Sequence, residues 1–197
     1  RSRAELFELA EPAIPYLISG LSGSHGDDVT RLRCVEVLSD IGTPALPGLF
    51  RAYEDAGNDK ARLNLLRAVA AMGENAKGRS VEFLAGVAAD DGEDFRLRLT
   101  AVEGLGATRD KRAVAPLLDA LRDDDLSVRK FAAAALSDFR TRASIGGLIE
   151  AMARAEQGRA RNAREAEIVA NCRRSLKRAT GRNFNSLREW QAWWQNR

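Results

Sequence analysis

A nine-position pattern of small and aliphatic residues recurs along this chain. It runs small, aliphatic, two free positions, an aliphatic pair, one free position, small, apolar. Its copies are Ala13-Ile14-x-x-Leu17-Ile18-x-Gly20-Leu21, Ala45-Leu46-x-x-Leu49-Phe50-x-Ala52-Tyr53, Ala113-Val114-x-x-Leu117-Leu118-x-Ala120-Leu121 and Ser144-Ile145-x-x-Leu148-Ile149-x-Ala151-Met152. A degenerate copy begins at Ser80 with Val81, Leu84, Ala85 and Ala88, so successive starts are spaced by 32, 35, 33 and 31 residues. Apolar positions at i, i+3, i+4 and i+7 form one stripe of a helix and not the alternation of a strand. Each copy is therefore a predicted helix. Pro12, Pro15, Pro44 and Pro47 stand at or just inside the starts, where a missing N–H costs least. Pro116 sits deeper and is expected to bend its helix slightly.

A second pattern fills the gaps. Asp27-x-x-x-Arg31, Asn58-x-x-x-Arg62, Asp94-x-x-x-Arg98 and Asp125-x-x-x-Arg129 each precede an apolar stripe, with Leu38, Val69, Leu105 and Leu136 seven residues after the arginines. The Asp or Asn is the expected N-cap, and Gly42, Gly73 and Gly106 suit the far ends. Each period is thus two antiparallel helices. A pair of about 30 residues cannot bury its own stripe, so neighbours must stack into a continuous core. The predicted fold is an all-α, α-solenoid array of five to six helix pairs over residues 1–181, closed by a capping helix over 182–197.

These lines carry a resemblance. Asp125-Leu126-Ser127-Val128-Arg129 with Ala132, Ala133 and Leu136, followed by helices of the Ala113 type, resembles the bacterial HEAT-like repeat family, whose shorter members resemble the repeats of phycobilisome lyases. The likeness covers most of residues 3–180. It departs at 57–90, whose second helix is weak, and at 160–180, where Val169 replaces the recurrent arginine. The end departs for a physical reason, since an open solenoid exposes its last apolar face. Leu176-x-x-x-Thr180-Gly181-x-x-Phe184 ends one helix and turns; Leu187, Trp190, Trp193 and Trp194 then place three indoles on one short helix. This resembles a tail that follows HEAT-like repeats in several bacterial proteins. A cap folded over the last repeat is the plainer reading, and an aromatic ligand platform the sharper one.

Charge changes this picture only locally. The net +3 hides 10 Lys/Arg against 3 Asp/Glu in residues 158–197, so the basic character belongs to the tail. No run approaches the roughly 18 apolar residues of a membrane span, and no signal segment stands at the start. The chain begins at Arg1 rather than methionine, which predicts that it is cut from a longer one and leaves its compartment unassigned.

Candidate chemistry is sparse. A ladder of four arginines could grip phosphates, but each has its own Asp or Asn, and a stacked Asp–Arg ladder between repeats accounts for type, spacing and recurrence together. His25, the only histidine, lies in a Gly-Ser-His-Gly loop without a nucleophile or orienting partner in the pattern. One histidine with Cys34 and Cys172 cannot make a closed zinc site; Cys34 is expected as a buried core thiol, and Cys172, about four repeats further along, as too distant to pair with it. Gly104-Leu105-Gly106 lacks the rest of a dinucleotide fingerprint. No cofactor, metal or catalytic residue is therefore expected.

The expected function is a non-enzymatic scaffold whose stacked second helices line a concave surface for a protein or peptide partner. By register its contacts are Arg51, Glu54, Asp119, Arg122, Glu150 and Arg154. Their mixed signs suit a polar protein surface better than a polyanion. A second class is nucleic-acid binding through the basic 159–182 segment, chiefly Arg173, Arg174, Lys177 and Arg178. A bilin lyase or isomerase activity is implied by the resemblance alone.

Overall fold

The computed structural model describes residues 11–23, 27–76, 78–158 and 162–196. Expectations placed on residues 1–10, His25, Arg159 and Arg161 lie outside them. The described residues form helices joined by short turns, with no strand among them. The chain separates into two compact units, Arg1–Asp110 and Lys111–Arg197.

The first unit holds α1 (Ile14–Ser22), α2 (Asp28–Ile41), α3 (Leu46–Glu54), α4 (Asp59–Ala71), α5 (Val81–Ala89) and α6 (Phe95–Ala107). The predicted caps are in place: Asp27 accepts from Thr30 N at 2.7 Å, Asn58 from Ala61 N at 2.9 Å and Asp94 from Arg96 N at 2.9 Å. Each satisfies a donor that the first helical turn leaves unpaired. Pro15 and Pro47 lie in first turns, as the pattern requires. The second helix of the 57–90 repeat, weak in sequence, forms over nine residues like its neighbours, because Val81, Leu84, Val87 and Ala88 still bury one face. Here α4 packs on α1, α2 and α3, while α6 packs on α4 and α5. Leu38, Leu49, Leu65, Leu66, Leu84 and Leu105 are fully enclosed.

Several glycines set close approaches in this unit, Gly42 and Gly104 among them. Gly42 adopts φ +71° at the end of α2, the left-handed region that ends helices cheaply. Gly104 lies inside α6, and a Cβ there would stand 2.9 Å from Ala70 Cβ and 3.0 Å from Ala70 Cα. Gly106 differs from expectation, since it continues α6 and Arg109 takes the positive φ beyond the helix.

The second unit holds α7 (Val114–Ala120), α8 (Leu126–Phe139), α9 (Arg142–Gly158), α10 (Ala163–Thr180) and α11 (Leu187–Gln195). Asp125 caps α8 through Ser127 N and Val128 N. Pro116 falls in the first turn of α7, where its missing N–H has no intrahelical partner to lose. Helix α9 runs beyond its nine-position template at both ends, started by a reciprocal exchange in which Thr141 N donates to Ser144 Oγ and Ser144 N to Thr141 Oγ1. Helix α10 ends at Gly181, φ +71°, as predicted.

The terminal turn follows the sequence closely. Ser186 and Glu189 form a reciprocal capping box at the start of α11. Trp190 is fully enclosed and meets Phe184 edge-on at 4.9 Å and Trp193 edge-on at 5.8 Å. Helix α11 packs on α9. Trp190 is thus enclosed, while Trp193 and Trp194 remain half-exposed.

Candidate partner-binding groove

Four of the six expected contact residues come together in the second unit. Asp119 and Arg122, in and just after α7, face Glu150 and Arg154 of α9 across a groove of about 710 Å³. That volume is typical of ligand clefts, ~300–1,000 Å³. Arg51 and Glu54 are exposed on α3 of the first unit and line no part of this groove.

Glycine shapes the floor. The two free positions of the α9 template are Gly146 and Gly147, and no other copy has glycine at both. A Cβ at 147 would stand 2.0 Å from Leu118 Cδ2, so α7 reaches α9 through the missing side chain. A Cβ at 146 would stand 3.3 Å from Trp194 Cζ2, so the indole lies against the helix backbone. The guanidinium of Arg142 sits 4.9 Å from the centre of that indole, a cation–π contact. Trp194 and Arg142 therefore belong to the groove wall. Register missed both, because neither occupies a template position; the aromatic-platform alternative included Trp194, and no pattern pointed to Arg142.

The groove is electrostatically incomplete. Asp119 and Arg122 approach to only 3.5 Å. Among the described residues, Arg142, Arg154 and Glu150 make no ion pair, and all three are exposed. Three guanidiniums and two carboxylates thus border an apolar floor, with most of their hydrogen-bonding capacity directed at solvent.

The recurrent arginines are placed differently from expectation. The Asp and Asn partners are engaged as helix caps, so the arginines turn elsewhere. Arg62 pairs with both oxygens of Glu93, one contact measuring 2.7 Å, and Arg129 with Glu165 at 3.0 Å. Arg31 takes Asp28 of its own helix at 2.9 Å, and Arg98 donates to the Glu93 carbonyl at 2.6 Å. Rungs between neighbouring repeats do exist at Arg62 and Arg129, but their acids come from just before α6 and just inside α10, two helices further on. Tyr53 joins the first rung, its hydroxyl donating to Glu93 at 3.3 Å while its ring lies 4.6 Å beneath Arg62. Burial and the Glu93 carboxylate push the Tyr53 phenol up to about 12. Burial likewise pushes the Cys172 thiol up to about 12, although Arg154 and Arg129 pull the other way. Both cysteines are buried free thiols.

The basic segment is partly spoken for. Arg178 pairs with Asp138 at 2.7 Å, and Glu165 and Glu167, which interrupt the positive run, are held by Arg129 and Lys130. Arg173 is half-buried, while Arg174 and Lys177 are exposed one turn apart on α10.

Residues 88–168 match the family model for HEAT repeats. That stretch carries HEAT-like repeats. The complex of CpcE and CpcF of phycocyanin lyase from Nostoc sp. PCC7120 is similar in fold, with a TM-score of 0.57 and 24% identity over 81% of this chain and 98% of that one. Human deoxyhypusine hydroxylase in complex with glycerol aligns over 96% of both chains at 14% identity with a TM-score of 0.39. No curated protein matches the chain in sequence. The α-solenoid fold, the helix pairs and their order agree with the sequence reading. Among the described residues no helix is long and apolar enough to cross a membrane.

Proposed function

We propose that this HEAT-like repeat protein acts by binding another protein and not by catalysis, using exposed positions of its second helices. The observation that carries this reading is the groove of the second unit. Four residues chosen by register alone, Asp119, Arg122, Glu150 and Arg154, border one cleft with an indole and an apolar floor. Apolar centre, charged rim and an aromatic anchor are the composition of protein interfaces. Arg51 and Glu54, exposed on α3 of the first unit, enter the proposed contacts by register alone.

Affinity capture from the source cells tests the reading. The wild-type chain should retain a discrete partner that a chain carrying Arg51→Glu, Asp119→Lys and Arg122→Glu loses, with helical circular dichroism unchanged. Equal capture by both chains overturns it.

A second reading, nucleic-acid binding through α10, draws on the exposed pair Arg174 and Lys177. It requires an affinity for DNA or RNA that falls steeply with salt. Flat anisotropy titrations at low salt remove it.

A further inference from the structure

The groove between α7, α9 and Trp194 carries enough chemistry to define its occupant. Its α9 wall runs from Arg142 to Arg154, which at 1.5 Å per residue is roughly 18 Å. An extended peptide rises about 3.3 Å per residue, so the wall spans roughly five residues. A guanidinium stands at each end of that wall. Between them the floor is Leu118, Gly146 and Gly147, low enough to receive an apolar side chain beside the Trp194 indole.

From this we infer that the groove binds a linear peptide carrying an acidic side chain at each end of a stretch of roughly five residues with an apolar centre, one carboxylate on Arg142 and the other on Arg154. The inference rests on the scaffold reading and gives it a ligand. Charge complementarity selects the acidic ends, since neither arginine makes an ion pair among the described residues and a planar guanidinium matches a carboxylate in two hydrogen bonds. The Arg142 head is further oriented by its place over the indole at 4.9 Å, which lowers the entropy lost on binding. Asp119 and Glu150 decide against a polyanion. Evenly spaced phosphates along the groove would meet these two carboxylates, whereas a peptide with discrete charges can keep its acids at the ends.

The probe is a fluorescein-labelled peptide, Gly-Asp-Leu-Phe-Leu-Glu-Gly, beside an Asn/Gln version and a Lys/Arg version of the same length, each titrated by anisotropy against the whole chain. The acidic peptide should bind about 10-fold or more tighter than the amide version, because a hydrogen bond to a charged group exceeds a neutral one by roughly that factor. Arg142→Glu should remove a similar factor, and Arg142→Glu with Arg154→Glu should transfer preference to the Lys/Arg peptide. Arg174→Glu with Lys177→Glu on α10 should leave binding unchanged. Equal affinity for acidic and amide peptides, binding by none of them, or loss on the α10 variant in place of the groove variant each overturns the proposal. The scaffold reading fails separately: loss of cellular capture on the Arg51, Asp119 and Arg122 reversal, with no preference for acidic peptide, retains the scaffold and removes only this ligand.

Discussion

Two copies of the template, one in each unit, treat its fourth position in opposite ways. In the copy on α5 that position is Phe83, which stacks on Phe50 at 4.2 Å and meets Tyr53 edge-on at 5.2 Å. The face is thereby filled by the unit's own aromatic side chains. In the second unit the fourth position of α9 is Gly147, and the face stays open as a groove with Trp194 at its side. Glycine at that position does not by itself open a face, since Gly48 on α3 is packed by Ile18. The flanking chemistry differs as well, since the first unit closes its charges in the Arg62–Glu93–Tyr53 cluster while the groove leaves Arg142 and Arg154 without ion pairs among the described residues.

Fluorescence separates the two units conveniently, because both tyrosines precede Lys111 and all three tryptophans follow it. The largest effect expected is in the second unit. Trp190→Ala should destabilise it by about 3–5 kcal/mol, the usual range for deleting an enclosed aromatic, read from emission of the remaining indoles during denaturation. A loss below about 1 kcal/mol would show that Trp190 matters less than its burial implies.

Next come the two inter-repeat rungs. Glu93→Ala strands both Arg62 and the Tyr53 hydroxyl and should cost about 2–3 kcal/mol, whereas Glu165→Ala strands Arg129 and should cost about 1 kcal/mol. Equal losses by urea denaturation would remove the distinction drawn between a closed cluster and a simple pair.

A smaller contrast lies in two helical glycines. Gly104→Ala meets the backbone of Ala70 and should lose about 1–2 kcal/mol, overpacking exceeding the gain of roughly 1 kcal/mol in helix propensity. Gly147→Ala meets only the tip of Leu118, which can rotate, so its stability should stay within about 0.5 kcal/mol of wild type while peptide affinity falls. A neutral Gly104→Ala would contradict the close approach of α4 and α6.

An effect absent at neutral pH is a pH dependence of the first unit. Tyr53 is raised from 10.0 to about 12, so folding retains its phenolic proton more tightly than the unfolded chain does. Its contribution is complete below pH 10 and is lost as pH climbs through 10 to about 12. In a Tyr16→Phe chain, phenolate absorbance should rise near pH 12 and shift lower with Glu93→Gln. A midpoint unchanged by that substitution would leave burial as the whole cause.

Much of this was legible in residue order. The i, i+3, i+4, i+7 stripes located the template helices, and the Asp and Asn caps located the starts of α2, α4, α6 and α8, because both depend on neighbours within one turn. The groove was half legible. Register named Asp119, Arg122, Glu150 and Arg154, since residues of one helical face keep their spacing wherever the helix goes. It could not name Arg142 or Trp194, which reach the groove through the meeting of α9 with α11.

What the sequence determined by itself is the set of helices, their caps, their buried faces and the turn at Gly181, each a consequence of contacts a few residues apart. Tertiary structure alone decided the partners. The acceptor for Arg62 could be the Asn58 amide four residues before it or the Glu93 carboxylate thirty-one residues after it, and only packing of α4 beside α6 selects the second. Likewise, two adjacent glycines become the floor of a groove only where Leu118 crosses one and an indole lies on the other, because a close approach is a property of two elements and not of either sequence alone.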